Sequence, residues 1–224
     1  APEDNAAEPK LPMPEIVKRH FEEKRGFANY YFNRLQRDRV WKVWAALGDF
    51  TSSAGPWTIA GPLESGGKYR FVIADREVSL TIPAGDLKWT ATDEIGSSLT
   101  PTGSGGLFAA LYLWRRLAVA GPGKFGDVYY LGTVPLEGQA ERVDALVGLC
   151  GGVECHFLFD PKTGLLLAIE MFPEEHADPC EVRLFDYRPI DGRSVPHRIE
   201  VRYGGERFGD FHVESFSVEK PMQP

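Results

Sequence analysis

The sequence predicts an α+β fold that is mainly antiparallel β, a curved half-barrel sheet of about eleven strands with about three helices on its concave face. Three observations support this. Short stretches with period-two alternation of apolar residues are separated by turn residues, as in antiparallel strands joined by tight connections. Helical stretches never alternate with single strands, which disfavours a parallel sheet. A sheet this wide must curl, and curling leaves a concave face that helices can cover.

Three stretches carry the apolar spacing of helices. Residues 15–24 form the first, which ends before Gly26. Residues 33–47 form the second, with an apolar stripe opposite charged side chains and Gly48 at its end. Residues 107–120 form the third and are apolar on nearly all sides. This third helix is therefore expected to be sandwiched, or to face an apolar cavity.

The strand pattern falls into two groups, about four strands before the third helix and about seven after it. Tight turns separate neighbours, for example the Asp-Pro-Lys-Thr-Gly sequence at residues 160–164, where proline and glycine suit a reversal of the chain. The predicted strands are residues 56–60, 68–75, 77–82, 86–91, 128–135, 142–150, 153–160, 165–172, 181–188, 195–203 and 208–218.

The chain of 224 residues is expected to form one domain over residues 15–218. Residues 1–14 are rich in proline, glutamate and alanine and are expected to be a flexible N-terminal linker, with a flexible tail at 219–224. The chain opens at Ala1 with no charged and apolar leader, so any secretion signal is expected to have been removed.

Charge and hydropathy disfavour two classes of partner. The chain has 25 Lys and Arg against 32 Asp and Glu, a net charge of −7, whereas nucleic-acid-binding proteins normally carry a basic face. The longest apolar run, residues 107–120, contains Arg115 and Arg116 and is shorter than the ~20 residues of a membrane span. Neither a nucleic-acid partner nor a transmembrane segment is expected.

The three cysteines are predicted to be free thiols, mostly buried. A two-residue hairpin at residues 151–152 would place Cys150 opposite Val153 and Cys155 opposite Gly148. The two cysteines would then be diagonal neighbours at ~7–8 Å, too far apart for an easy disulfide. Zinc prefers paired ligands at short spacing on tight loops, so neither a metal nor any other cofactor is expected.

Signatures of catalysis are weak. The Gly-Ser-Gly at residues 103–105 lacks the G-x-S-x-G spacing of a nucleophile elbow, and no G-D-S-G sequence is present. The Gly-Pro-Gly-Lys at residues 121–124 leaves a helix and lacks the serine or threonine of a phosphate loop. An enzyme is therefore not expected.

Two segments near the C-terminus resemble a known family. FLFDPKTGLL at residues 157–166, followed by FDYRPIDGRSVPHRI at residues 185–199, resembles the C-terminal meander of LolA/LolB-like proteins, which are bacterial lipoprotein carriers. The resemblance implies an eleven-stranded half-barrel with an apolar cavity for acyl chains and a location in the periplasm or cell envelope. A looser similarity is to an extension attached to secreted trypsin-like serine proteases, which implies a protease domain in the same polypeptide.

Aromatic residues of the first strand group and the third helix are the candidate ligand-binding side chains. Core packing would account for most of them, but a half-barrel offers more concave surface than three helices fill, and aromatic rings make good walls for an apolar pocket. Both interpretations stay open at this point. The seven residues are Trp57, Tyr69, Phe71, Trp89, Phe108, Tyr112 and Trp114.

The function expected from these observations is non-enzymatic binding of an acyl chain or another apolar ligand, with a lipid or the acyl chain of a lipoprotein as partner. The alternative is an accessory interaction domain of a larger secreted protease or envelope protein, with no ligand of its own.

Overall fold

The computed structural model describes residues 13–52, 55–92, 95, 99–173, 176 and 178–219. Of the predicted linker only residues 13 and 14 fall within this part of the chain, and of the predicted tail only Glu219.

The described residues contain the predicted helices and strands in the predicted order, and the short helix Pro122–Phe125 and the short strands Arg188–Ile190 and Arg193–Val195 are additional. The helices are α1 (Glu15–Lys18), α2 (Tyr30–Ala45), α3 (Leu107–Ala120) and α4 (Pro122–Phe125). The strands are β1 (Trp57–Pro62), β2 (Lys68–Ile73), β3 (Glu77–Ile82), β4 (Gly85–Thr90), β5 (Asp127–Val134), β6 (Val143–Cys150), β7 (Val153–Phe159), β8 (Leu166–Phe172), β9 (Cys180–Phe185), β10 (Arg188–Ile190), β11 (Arg193–Val195), β12 (Arg198–Tyr203), β13 (Glu206–His212) and β14 (Ser215–Val218).

The strands form two large antiparallel sheets and one small hairpin. The first sheet has the order β14-β1-β2-β3-β4, and the second has the order β13-β12-β9-β8-β7-β6-β5. Strands β10 and β11 pair only with each other. These open, antiparallel sheets with a few helices confirm the predicted fold class.

The last predicted strand, residues 208–218, joins the two sheets. It is bent at Val213 and Glu214, so that β13 pairs with β12 of one sheet while β14 pairs with β1 of the other. At the bend the Val213 N–H donates to the His197 carbonyl, and the Glu214 N–H donates to the Ala60 carbonyl. The two large sheets joined by this strand form one continuous wall of strands. If the bent strand is counted once, this wall contains the eleven predicted strands, and the β10–β11 hairpin is additional.

Helix α3 fills the concave side of this wall. Its bounds are those predicted, and eleven of its fourteen residues are buried. It packs on β2 and β3 of the first sheet and on β8 and β9 of the second, so both sheets present the same inner face to one helix. The predicted sandwiched position of α3 is therefore confirmed.

The first predicted helix is wrong in length. The sequence predicts a helix over residues 15–24, but α1 ends at Lys18. Its apolar side chains contribute little packing, since Ile16 is 71% exposed, and a helix this short is unstable without packing. The Asn29 side chain also binds the His20 carbonyl at 2.8 Å and the Glu22 N–H at 3.1 Å, which fixes this segment outside a helix.

Helix α2 begins three residues earlier than predicted because Asn29 is its N-cap. The Asn29 side chain accepts the N–H of Tyr31 at 3.1 Å, which satisfies a donor of the first turn. Val40 and Trp44 of the predicted apolar stripe are buried, whereas Leu35 is largely exposed. The stripe therefore only partly faces the core.

On the outer face of β7, His156 lies between two glutamates, and its protonation makes the stability of the fold depend on pH. The His156 ring nitrogens lie 2.7 Å from Glu154 and 3.4 Å from Glu170. Burial alone would lower the pKa of His156, but hydrogen bonds to Glu170 and Glu154 outweigh it and raise that pKa above its usual value. The protonated ring therefore stabilises the fold below the unfolded pKa of about 6.5, and this contribution is lost as the pH rises through the folded pKa.

We accordingly expect H156Q to lower the free energy of unfolding more at about pH 5.5 than at about pH 8.5, by on the order of 1 kcal/mol. Urea unfolding of both proteins at the two pH values measures this difference. Equal effects of the substitution at the two pH values would contradict it.

Candidate functional site

The seven aromatic residues singled out in the sequence lie together between the first sheet and α3. Each is 6% exposed or less. The Trp57 and Trp114 ring centroids are 5.3 Å apart, those of Trp89 and Tyr112 5.4 Å. The centroids of Phe71 and Phe108 are 6.3 Å apart, a range at which aromatic rings attract one another. These residues belong to one continuous apolar core, and a ligand-binding role for them stays a prediction.

One polar atom inside this set has no hydrogen-bond partner among the described residues, the indole Nε1–H of Trp57. Trp57 is fully buried, with Trp114, Phe50 and Phe216 around its ring. A buried donor without an acceptor costs about 1–3 kcal/mol of desolvation free energy, which the apolar surroundings of Trp57 do not offset.

An apolar groove of about 660 Å³ opens to solvent beside the N-terminal end of α3. Its apolar side chains are Leu99, Tyr203 and Phe208, which are 37%, 36% and 45% exposed. The loop that precedes α3 forms one wall, and the β12–β13 hairpin forms the other. The remaining lining residues are Thr100, Thr102, Gly103, Gly105, Glu206 and Arg207.

A β-bulge directs Phe208 into this groove. Val201 pairs with Gly209 and Arg202 pairs with Arg207, so Phe208 is the extra residue on β13. Bulges commonly re-aim a side chain at the edge of a site. The Phe208 ring lies over Gly105, where an added Cβ would stand 2.9 Å from the ring. Gly105 has a φ of +59°, so both its backbone and the ring above it favour glycine.

An aromatic residue of β13 also packs on the seven buried aromatic residues, called the buried aromatic set below. Phe211, three residues after Phe208, is half-buried, and its ring centroid lies 4.9 Å from Tyr69 and 5.2 Å from Phe71. Phe71 in turn contacts Phe108 on α3. The strand that lines the open groove thus also carries a ring that packs on the predicted binding residues.

A second, more polar pocket of about 420 Å³ lies beside the C-terminal half of α3. Of the seven predicted residues, Tyr112 lines it, together with Arg116, which donates to the Tyr112 hydroxyl at 3.3 Å. Cys150 also lines this pocket, and burial raises the pKa of its thiol, opposed by Arg116. Nearby, burial lowers the pKa of Arg115, whose guanidinium donates to the Gly55 carbonyl at 3.0 Å.

The cysteines are free, as predicted, and the hairpin register is the one derived from the sequence. Cys150 pairs with Val153, and Gly148 pairs with Cys155. Burial raises the pKa of Cys155 well above that of a free thiol, and it raises that of Cys180 to about 12. The described residues include no cluster of three histidine, cysteine or carboxylate side chains arranged to hold a metal ion.

Sequence reasoning missed Leu99, Tyr203, Phe208 and Phe211. The bulge that exposes Phe208 shifts the register within the β12–β13 hairpin, and neither the turn residues nor the alternation of the strands reports that shift. The one available signal was the glycine-rich loop at residues 103–106, which allows another chain segment to approach closely.

No protein-family model matches the chain, and no curated protein matches it. Two solved structures are similar to it. A putative outer membrane lipoprotein-sorting protein domain from Vibrio parahaemolyticus is 11% identical, with a TM-score of 0.48, over 84% of this chain and 95% of that one. A LolA superfamily protein from Nitrosomonas europaea is 10% identical, with a TM-score of 0.43, over 80% of this chain and 92% of that one.

At these identities the similarity concerns the fold alone. Within the described residues, no helix combines the length and the apolar character needed to cross a membrane.

Proposed function

We propose that this chain is a non-enzymatic domain of the bacterial cell envelope that binds an acyl chain or another apolar ligand, as a lipoprotein carrier does. The observation that carries the proposal is the groove of Leu99, Tyr203 and Phe208, which is open to solvent and is flanked by the strand that supports the buried aromatic set. Its volume of about 660 Å³ lies within the range of about 300–1,000 Å³ typical of ligand pockets.

The driving force would be removal of apolar surface from water. Each buried methylene contributes about 0.8 kcal/mol, so ten of them contribute about 8 kcal/mol. Association costs start at about 4 kcal/mol, which leaves a net gain for a long chain but little for a short one. The affinity is therefore expected to rise with chain length, and no side chain needs to perform chemistry.

The first variant to test is F208Q, which we expect to weaken binding of a fluorescent fatty acid by at least about tenfold, equivalent to about 1.4 kcal/mol. The substitution replaces the most exposed ring of the groove with a polar side chain of similar reach. Its matched control is F32Q on α2, because Phe32 is 60% exposed and lies outside the groove. The control should bind like the parent protein.

Mass spectrometry of the purified protein adds an independent readout, since a carrier is expected to retain lipid from its host. Absence of both co-purified lipid and fatty-acid binding in the parent protein would overturn the proposal. Equal binding by F208Q and the parent protein would place the ligand elsewhere, and the seven buried aromatic residues would then be the next to vary.

The location and partners that we propose follow from the same function. The chain would work in the periplasm or at the cell envelope, where acyl chains of lipids and lipoproteins are the apolar ligands available. The resemblance of residues 157–166 and 185–199 to lipoprotein carriers supports this location.

A second function is favoured by one observation, the packing of α3. Eleven of its fourteen residues are buried, so the chain's own side chains occupy much of the concave face. An accessory interaction domain of a larger secreted protease or envelope protein would need no ligand there. Failure to bind any apolar probe, together with tight binding to a protease domain from the same polypeptide, would favour this alternative.

A further inference from the structure

The wall of strands has two outer edges, β4 and β5, and they differ in how they are covered. Helix α2 covers β5. The Asn33 side chain donates to the Tyr130 carbonyl at 2.7 Å and accepts the Tyr130 N–H at 2.9 Å, as a neighbouring strand would. The Tyr30 hydroxyl donates to the Val128 carbonyl at 3.0 Å. Among the described strands, β4 pairs only with β3.

The pairing of β4 with β3 fixes which backbone groups of β4 point outward. Beyond the end of β4, the Ala91 N–H donates to the Arg76 carbonyl at 2.8 Å. In an antiparallel ladder every second pair is hydrogen-bonded, so the next such pairs are Val78–Trp89, Leu80–Leu87 and Ile82–Gly85. The N–H and C=O groups of the residues between them therefore point away from the sheet. These residues are Asp86, Lys88 and Thr90.

The side chains of β4 leave this edge accessible. Five of its six residues are exposed, and the sixth, Trp89, is buried. Trp89 points into the core, and by alternation Leu87 lies on the same inner face, where it is still 39% exposed. Asp86 and Lys88 lie on the outer face. An edge that pairs with no other strand in the described part of the chain, and that carries an exposed leucine, is a template for pairing with another strand.

We infer that β4 pairs with β4 of a second copy of this chain, antiparallel, with the twofold axis at Leu87. In this register the outward N–H and C=O groups of Asp86 form hydrogen bonds with those of Lys88 of the second copy. By symmetry, Lys88 forms the same hydrogen bonds with Asp86 of the second copy. Two hydrogen-bonded pairs and two opposite-charge pairs form together, and Leu87 lies against its own symmetry mate. The surface is complementary to itself, as a twofold contact requires.

The charges exclude the neighbouring registers. A shift of the axis by one residue in either direction places Asp86 opposite Asp86 or Lys88 opposite Lys88, and like charges directly opposite each other destabilise a strand pair. Lys88 already binds Glu77 of β3, with 2.6 Å between Nζ and Oε2, and this pair is exposed enough for Lys88 to contact a second carboxylate. The contact is small, so the dimer is weak and forms with rising concentration.

Charge swaps test this register. In sedimentation velocity from about 10 µM to about 1 mM, the parent protein should shift from monomer to dimer. D86K and K88D should each weaken the dimer by at least about tenfold, because each places two like-charge pairs at the axis. The double variant D86K/K88D restores opposite charges and should restore the dimer. R70D is the matched control for K88D, since Arg70 is an exposed residue on β2 of the same sheet.

Cross-linking reports the register directly. Under mild oxidation L87C should form a covalent dimer, because directly opposite residues of a strand pair have Cβ atoms about 4.5–5.5 Å apart. T90C lies far from its own symmetry mate and should remain monomeric under the same conditions. A parent protein that stays monomeric throughout, or a dimer that survives both single charge swaps and does not cross-link through L87C, would overturn the inference.

Discussion

Replacing Gly61 with alanine is expected to lower the free energy of unfolding by about 3 kcal/mol. A Cβ on Gly61 would stand 1.9 Å from the backbone oxygen of His212 and 3.1 Å from the Tyr69 ring. Here β1 crosses the end of β13, immediately before the bend that carries the chain into the other sheet. A backbone carbonyl cannot rotate away as a side chain can, so one of the two strands must move.

The same junction supports the candidate site. The Tyr69 hydroxyl donates to the His212 carbonyl at 3.0 Å, and the Tyr69 ring packs on Phe211. Displacement of His212 would therefore disturb the contacts between the groove strand and the aromatic set. We expect G61A to weaken apolar-ligand binding as well as stability.

Urea unfolding of G61A against G123A measures the effect, because a Cβ on Gly123 would meet no atom within 4 Å. G123A should change the unfolding free energy by less than about 0.5 kcal/mol. If the two variants were equally stable, the close crossing of β1 and β13 would be disproved.

Much of the wall could be predicted from the sequence because its signals are local. Period-two alternation and glycine- or proline-containing turns report each strand without reference to the rest of the fold. Helix α3 could be predicted with its observed bounds because glycines stand on both sides of an apolar run, at Gly106 and Gly121. The hairpin register around residues 151–152 follows from the two-residue turn alone.

The features that could not be predicted depend on specific hydrogen bonds that neither periodicity nor turn residues report. The bend at Val213 and Glu214 depends on hydrogen bonds to His197 and Ala60, which are remote in sequence. The early end of α1 depends on the Asn29 side chain, which competes for backbone groups that a longer helix would use.

The candidate site also has a part that the sequence predicts and a part that it does not. Its buried aromatic residues stand at alternating strand positions and on an apolar helix, so the sequence brings them together correctly. The groove residue Phe208 depends on a bulge, and a bulge is a property of two paired strands. Local reasoning therefore groups the buried aromatic residues and misses the open groove.

Replacing Arg39 with methionine is expected to destabilise the fold by about 3 kcal/mol, because it leaves a buried carboxylate without its cation. Arg39 on α2 donates two hydrogen bonds to Asp144 on β6, at 3.0 and 2.8 Å, and the Tyr130 hydroxyl donates a third at 2.9 Å. The Asp144 side chain is only 4% exposed, whereas that of Arg39 is 44% exposed. The charge inside the protein is thus the carboxylate, and the guanidinium reaches water.

Because only the carboxylate is buried, the relative stabilities of the variants test whether this ion pair stabilises the fold. D144L removes the buried charge and leaves an arginine that water can solvate, so it should cost less than R39M. The double variant R39M/D144L should regain most of the stability lost in R39M, because neither partner is then left as an uncompensated charge. Thermal and urea unfolding of the four proteins complete the cycle. If R39M were as stable as the parent protein, Asp144 would have to be solvated in the fold, and the ion pair would not be what holds α2 over the edge of β5.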